Sequence, residues 1–357
     1  LFLFQTLRMN RIITFCLLSY QFISIAQEST SHNCAKKHVF TLSGYGDIYY
    51  GYQLGSKAKK EDFYYNHKLN NQIRTNLLLI KGEYLSPRFH ATLGLMTGDY
   101  SRFNLAAEPN WAKPLNEAFL GFKLSKKRSI WWDLGVYSSF IGIESSISAD
   151  CYTLTRSIVA ENSPYYLSGT RVLFKSDNEK HEAGFHILNG WQRIGWDPAI
   201  KKPSFGGHYK YNFNDAASVM YGVFYGSIYP DSLKTNRLYQ HVNGTVSLKK
   251  WKFIGTLDVG LESGYYWGAA QIMAQYTINK NWDIAQRIEA YHDPNNRCAR
   301  IGASESTSIG AYAICTSYHL NNNVLFRLEP KVLAASESIL KGEHFMLHVN
   351  AGISVRF

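Results

Sequence analysis

The last twelve residues of the chain, 346–357, alternate between two kinds of side chain. One parity is apolar from Leu347 to Phe357, and the other parity is polar or small from His348 to Arg356. A period of two predicts a strand with one apolar face and one polar face. A transmembrane β-barrel needs such strands, because one face contacts lipid and the other faces a polar lumen.

The same alternation recurs along most of the chain and predicts sixteen strands between residues 39 and 357. Seven short polar connections alternate with eight long ones. The long connections are predicted around residues 54–71, 100–115, 141–165, 192–203, 229–237, 263–267, 293–306 and 332–344. An even strand number, with short turns at one end and long loops at the other, is typical of outer-membrane barrels. We therefore predict an all-β fold, a transmembrane antiparallel β-barrel of about 16 strands with short periplasmic turns and long extracellular loops.

The aromatic content fits this prediction without deciding it. The chain has 25 Tyr, 20 Phe and 8 Trp residues, which would supply the aromatic girdles of a membrane barrel. A soluble all-β protein could have the same composition. Beyond the N-terminal region, the sequence has no apolar stretch of the ~20 residues that a membrane-spanning helix needs.

Residues 9–26 have the pattern of a secretory signal peptide. Arg11 supplies the positive charge, residues 12–25 are mainly apolar, and small residues precede the predicted cleavage after Ala26. A buried N-terminal helix is the alternative interpretation. We predict that residues 1–26 are upstream residues plus a cleaved signal peptide, that 27–38 form a flexible periplasmic lead, and that 39–357 form a single barrel domain.

The formal charge of the chain is +11, and removal of Arg8 and Arg11 with the leader would leave +9. Such a basic balance would suit nucleic-acid binding, but a secretory leader argues against nucleic acid as a partner. We attribute the charge to the lumen and the turns, and expect contact with outer-membrane lipid and lipopolysaccharide. The final strand closes on Phe357, and this resembles the assembly signal that the outer-membrane barrel assembly machinery recognises.

Four cysteines would remain after cleavage: Cys34, Cys151, Cys298 and Cys315. They form no C-x-x-C pair and have no zinc-site spacing, so we predict no metal site and no cofactor. An oxidising compartment permits disulfides. Cys151 and Cys298 both fall in predicted long loops, which leaves a bridge between them open.

Residues 131–174 carry a set of motifs in close order. They are Trp132-x-x-Gly135, Ile141-Gly142-x-Glu144-Ser145, Leu154-Thr155-Arg156-Ser157, Glu161-Asn162-Ser163-Pro164-Tyr165-Tyr166 and Ser168-Gly169. Asn116-Glu117-Ala118 precedes them and Leu188-Asn189-Gly190-Trp191-Gln192 comes after them. This stretch is similar to the putative β-barrel porin-2 (OmpL-like) family of outer-membrane proteins. The resemblance implies a porin-like barrel more firmly than it implies a substrate.

The third long loop, 141–166, is the candidate functional element. It carries Glu144, Asp150, Arg156 and Glu161, and we predict that these residues form a pore constriction. Opposite charges that face each other across water would sort solutes by charge. The alternative is that they only hold the loop to the wall through salt bridges. We expect Arg156 to pair with Glu161 or Glu144.

Charged residues on the predicted inner parity would line the lumen, since a charge at the lipid midplane costs about 2–4 kcal/mol. The predicted lining residues are Glu83, Glu117, Arg171, His186, Arg287, Glu289, Arg327, Glu329, His348 and Arg356. The sequence shows no catalytic motif, and we predict that the chain is not an enzyme.

Two functions remain open at this point. The first is a Gram-negative outer-membrane porin for small hydrophilic solutes or ions, because sixteen strands enclose a lumen too wide for side chains to fill. The second is a non-conducting barrel that acts as an adhesin or as a structural envelope protein. The sequence does not identify the solute, the charge selectivity or the oligomeric state, and a homo-oligomer is compatible with it.

Overall fold

We analysed a computed structural model of the chain. The structure describes residues 38–54, 60, 62–195, 197–228, 230–233, 235–298, 306–335, 340 and 343–357. Residues 38–357 form one compact unit. The predicted signal peptide and nearly all of the predicted periplasmic lead lie outside the described residues, so both stay predictions.

Sixteen strands form the unit, as the alternating pattern predicted. They are β1 Val39–Gln53, β2 Ile73–Leu85, β3 Phe89–Thr97, β4 Leu115–Lys123, β5 Ser129–Ser138, β6 Tyr166–Lys175, β7 His181–Leu188, β8 Ser204–Asn214, β9 Ala217–Gly226, β10 Arg237–Leu248, β11 Trp251–Glu262, β12 Tyr265–Thr277, β13 Trp282–Asp293, β14 Thr307–His319, β15 Val324–Ala335 and β16 Phe345–Arg356. Short helices lie in the loops, α1 Asp99–Asn104 and α2 Ile158–Glu161, together with the 3-10 turns Ser148–Asp150 and Asp231–Leu233.

The strands form a closed antiparallel barrel in which every strand pairs with its sequence neighbours. β1 pairs with β16 and closes the ring. The last residue takes part in this closure, because Phe357 and Gly44 exchange two backbone hydrogen bonds of 3.1 Å. A Cβ atom on Gly44 would lie 2.3 Å from the Phe357 ring, so glycine gives the terminal ring its place against β1.

The outer surface of the barrel is apolar, as the predicted parity requires. In β16, Ile353 and Val355 are exposed on the outside, while Asn350 and Ser354 point inward and are buried. Rings also cluster on the outside near the short turns, where Trp251 lies 4.7 Å from Tyr276 between ring centroids. Such a surface suits lipid contact and an interfacial aromatic belt. Among the described residues, no helix is long and apolar enough to cross a membrane.

The connections alternate in length with one exception: the predicted long connection 263–267 is wrong, because only Ser263 and Gly264 separate β11 from β12. The other connections give the barrel a turn end and a loop end. Three loops shape the inside of the barrel: L1, by which we mean the described residues 54, 60 and 62–72; L2, residues 98–114; and L3, residues 139–165. All three begin and end at the loop end.

Candidate functional site

L3 crosses the inside of the barrel. It starts after β5 and returns to β6, and in a ring of sixteen strands the opposite wall is β13 and β14. The backbone N–H of Ile158 donates to Glu289 on β13 at 2.6 Å. The backbone N–H of Thr155 donates to Glu329 on β15 at 3.0 Å. The loop therefore spans the lumen from one wall to the other.

Two arginines of the far wall hold the backbone of L3. Arg287 is fully buried and donates to the carbonyls of Thr155 at 2.6 Å and Arg156 at 2.9 Å. Arg327 donates to the carbonyls of Ser148 at 2.8 Å and Thr153 at 3.2 Å. Charge-assisted hydrogen bonds of this kind are among the stronger ones in proteins. The far wall therefore fixes L3 through its main chain, and the same two arginines also donate to the hydroxyls of Ser148, Thr153 and Thr155.

Acidic residues complete the anchoring. Glu289 pairs with Lys331 at 2.7 Å and with Arg287 at 3.3 Å. Glu144 of L3 lies 3.5 Å from Arg287 and accepts the backbone N–H of Ser157 at 3.1 Å. This network contains both signs of charge in a buried space, so each carboxylate has a cation or an N–H group beside it.

Arg156 lies inside L3 itself. Its guanidinium donates to the carbonyls of Ser145 at 2.8 Å, Ser146 at 2.5 Å and Leu154 at 2.9 Å, and the side chain is fully buried. We expected a pairing with Glu161 or Glu144, but the nearest acceptors are the loop's own carbonyls. Three carbonyls that turn toward one point need donors, and the fork of an arginine supplies them. Arg156 thus shapes the loop from within.

The other two acids of L3 lie in different surroundings. Glu161 is buried and accepts the backbone N–H groups of Tyr65 at 2.7 Å and Asn66 at 3.0 Å in L1. Burial raises the pKa of Glu161, although the charge of nearby Arg156 and these two N–H groups oppose the shift. Asp150 is half exposed and pairs with Arg356 at 3.1 Å. Of the four predicted constriction residues, Asp150 is the most exposed to water.

L1 also lies inside the barrel, a position that the alternating pattern of the sequence does not predict. His67 contacts Asp47 of β1 at 3.0 Å, and Lys60 donates to Asn350 of β16 at 2.6 Å. Phe63 and Tyr64 are buried in the same loop. The sequence signal for this position is a short run that mixes aromatic residues with His, Asn and Lys. Such a run is unusual for a loop that is exposed to solvent.

An apolar cluster packs inside the barrel toward the loop end. Phe63 from L1 and Phe140 and Ile158 from L3 pack there. The wall residues of this cluster include Leu167, Leu188, Phe224, Tyr239, Trp267, Tyr291, Ile309, Leu333 and Met346. Because these wall residues come from nine strands, L1 and L3 have an apolar contact surface around most of the ring.

The inner face of β2–β6 is different toward the turn end, where several of its charged side chains contact water. Side-chain exposure is 24% for Lys81, 23% for His90 and 17% for Arg171. Asp133 lies at the centre of this group, 2.8 Å from Arg171 and 2.9 Å from His90. Lys81 lies 3.4 Å from Glu117. We call these five residues the open face.

The ten predicted lining residues thus fall into three groups. Five lie on β13–β16 and are buried under the loops: Arg287, Glu289, Arg327, Glu329 and His348. Three lie on β2–β6 and are partly or largely exposed: Glu83, Glu117 and Arg171. His186 is buried beside Phe140, with a ring centroid distance of 4.5 Å, and Arg356 lies at the turn end with Asp150.

The cysteines of the described residues are free thiols. Cys151 accepts the backbone N–H of Ser145 at 3.3 Å, and Cys298 donates to the carbonyl of Asn162 at 3.3 Å. Burial raises the pKa of Cys298 to about 12, which keeps the thiol protonated at neutral pH. In the part of the chain that the structure describes, no group of three or more His, Cys, Asp or Glu residues could hold a metal ion.

A family model described as "Putative beta-barrel porin-2, OmpL-like" matches residues 39–352. The match covers the whole barrel except its last few residues, and it includes both L3 and the open face. The comparison with curated proteins gave no match.

Solved outer-membrane channels have the same fold. DcaP of Acinetobacter baumannii superposes with a TM-score of 0.59 at 11% identity, covering 92% of this chain and 99% of that one. An anion-selective porin from Comamonas acidovorans gives 0.58 at 11% identity, with 90% and 100% covered. OmpF of Salmonella typhi, in a complex with daunomycin, gives 0.61 at 11% identity, with 92% and 99% covered. At these identities the likeness concerns the fold.

Proposed function

Because the chain belongs to the putative β-barrel porin-2, OmpL-like family of outer-membrane proteins, we propose that it allows small hydrophilic solutes or ions to diffuse through its lumen. The observation that supports this most is the crossing of L3. The loop reaches the β13–β15 wall, while Lys81, His90 and Arg171 of the open face on β2–β6 remain partly exposed. A passing solute would move between L3 and that face.

In this proposal L3 is the constriction, and its four charged residues have different roles. Arg156, Glu144 and Glu161 hold the shape of the loop through buried hydrogen bonds. Asp150, which is half exposed, is the one that contributes charge to the water path. The charge preference of the pore would then depend mainly on the open face.

Conductance across a planar lipid bilayer tests the proposal. The refolded barrel should give stepwise channel openings whose size depends on L3, and a variant lacking residues 145–148 should give larger steps. Correctly folded barrel that never conducts, in wild type and in the loop deletion alike, would refute it.

One observation favours the alternative of a non-conducting barrel. The apolar cluster around Phe63, Phe140 and Ile158 occupies much of the loop end of the lumen with packed side chains. A barrel closed in this way would suit an adhesin or a structural envelope protein. The loop deletion separates the two functions, because a channel held shut by L3 should open when the loop is shortened.

We also propose the route to the membrane. The chain would be exported with residues 9–26 as a signal peptide cleaved after Ala26, and the barrel assembly machinery would recognise Phe357 as the closing residue. The apolar outer surface would contact lipid, and lipopolysaccharide would surround the outer rim. N-terminal sequencing of the membrane-inserted protein should give Gln27 as the first residue, and any other start would contradict the cleavage site.

A further inference from the structure

A cavity of about 240 Å³ lies at the loop end of the barrel, apart from the open face. L2, L3 and the connection between β7 and β8 form most of its wall. Its lining includes Asn104, Glu161, Trp191, Gln192 and Arg237. The volume is below the ~300–1,000 Å³ of typical drug-sized pockets. It corresponds to roughly eight water molecules at ~30 Å³ each, which is about the room that one sugar ring needs.

Two of the lining residues have a buried polar atom that makes no well-aligned hydrogen bond among the described residues: Oε1 of Glu161, and Nδ2 of Asn104, whose amide lies beside the Tyr100 hydroxyl. The other polar atoms of these side chains are in use. Oε2 of Glu161 accepts two backbone N–H groups of L1, and Oδ1 of Asn104 accepts from Gln192 at 3.3 Å. Burying a polar atom without a hydrogen bond costs free energy, so these two atoms need an explanation.

The charged groups of the cavity wall already have partners. Glu108 accepts the backbone N–H groups of Ile194 at 2.9 Å and Gly195 at 2.8 Å. Arg237 pairs with Glu262 at 2.9 Å, and Arg193 lies 3.5 Å from Asp197. With Glu161, the wall therefore has two acids and two arginines. This balance gives a charged solute no net attraction.

This pair of atoms defines the ligand chemistry more closely. One atom is an acceptor and the other is a donor, and a hydroxyl group can satisfy both kinds because it donates one hydrogen bond and accepts others. Trp191 adds an aromatic surface. The guanidinium carbon of Arg237 lies 4.8 Å from the Trp191 ring centroid, and the Phe224 ring centroid lies 4.9 Å from it, so both neighbours hold the indole in place. Aromatic rings beside amide and carboxyl groups suit a ligand with apolar C–H faces and a rim of hydroxyls.

We infer that this cavity binds a neutral, hydroxyl-rich solute of one sugar ring, with its hydroxyls placed at Glu161 and Asn104 and a C–H face at Trp191. The statement that such a solute is also the substrate of the channel rests on the proposed function. Binding itself requires only the folded loop end, so the two can be tested separately.

The test uses the full barrel in detergent and measures binding of D-glucose by calorimetry, with D-gluconate and D-glucosamine as anionic and cationic probes. Glucose should bind more tightly than either charged probe. Asn104→Asp keeps the shape of the side chain but replaces the donor with an acceptor. It should weaken glucose binding about tenfold, as expected for losing a buried hydrogen bond and adding an unpaired acceptor. Trp191→Phe should weaken it by a smaller factor.

Asn110→Asp is the matched control, because Asn110 is exposed in the same loop and lies outside the cavity wall. It should leave glucose binding unchanged. Three results would overturn the inference: no glucose binding by correctly folded barrel, equal or tighter binding of a charged probe, or equal effects of Asn104→Asp and Asn110→Asp. Conductance measured on the same preparations keeps the proposals distinct, since a conducting barrel that ignores glucose contradicts this inference alone.

Discussion

The inner faces of β13–β16 and of β2–β6 have similar charged side chains but different surroundings. On β13–β16, Arg287 is fully buried and bonds to the main chain of L3. On β2–β6, Arg171 bonds to Asp133 and keeps 17% of its side chain exposed. Both arginines lie at inward positions of strands that the alternating pattern predicts equally well. Position on the inner face therefore does not decide whether a charge lines the water path.

The difference lies in what covers each wall. L3 crosses to β13 and β15, and L1 covers β1 and β16. Charged side chains on these strands form hydrogen bonds with N–H and C=O groups of the loops, which would otherwise be buried without partners. Among the described residues, the open face keeps part of its side chains in contact with water toward the turn end. One wall thus holds L3 in place, and in the proposed channel the other wall would determine charge preference.

The strongest test of this comparison is Arg287→Ala against Arg171→Ala. Loss of Arg287 removes donors to two loop carbonyls and the cation beside Glu144 and Glu289. Breaking a buried ion pair in this way costs on the order of 3–5 kcal/mol. We expect L3 to detach and single-channel conductance to rise severalfold. Arg171→Ala should change conductance only slightly. Equal effects of the two variants would contradict the division of the walls.

A second test separates charge from shape. Arg171→Gln removes a positive charge from the open face, so it should shift the reversal potential in a salt gradient toward cation preference. The shift should be clearest at low salt, because the screening length then exceeds ~10 Å. Arg156→Lys keeps the charge but cannot make three hydrogen bonds from one planar group. We expect it to alter conductance while selectivity stays nearly constant. If Arg156→Lys moves the reversal potential as far as Arg171→Gln, the filter charge lies in L3 after all.

A third test concerns closure of the ring. Phe357 is 69% exposed and packs over Gly44, so its ring contributes little burial while its backbone pairs with β1. Deleting Phe357 should lower the amount of inserted barrel in cells, whereas refolding into detergent should survive. Phe357→Tyr is the matched control and should insert normally. Normal cellular levels of the deletion would show that recognition does not depend on this residue.

The sequence predicted the barrel well, because a strand between lipid and lumen must alternate. The predicted connection 332–344 ends one residue before β16 begins at Phe345, and the predicted connection 100–115 ends at the first residue of β4, Leu115. The conformation of L1 and the contacts of Arg156 were not predictable in this way. They depend on which distant strands the loops meet across the lumen, and a period of two contains no information about that.

The smallest expected effect concerns Glu161, where L1 meets L3. Burial raises its pKa above the ordinary 4.5, so the folded barrel binds this proton more tightly than the unfolded chain does. The group's contribution to stability is then greatest below pH 4.5 and is lost as the pH rises through the raised pKa. At neutral pH the buried carboxylate is a cost that Glu161→Gln removes, while one amide oxygen still accepts from the L1 backbone.

We therefore expect Glu161→Gln to raise the thermal midpoint by a few degrees at about pH 7 to 8, with the gain shrinking toward zero as the pH falls to about 4. Glu179→Gln is the control, because that carboxylate is 76% exposed in a turn and should show no such dependence. If Glu161→Gln changed the thermal midpoint by the same amount at every pH, the contact between L1 and L3 would depend on the shape of this side chain and not on its charge. The contact between the two loops would then resemble the apolar packing around Phe63 more than the ionic anchoring at Arg287.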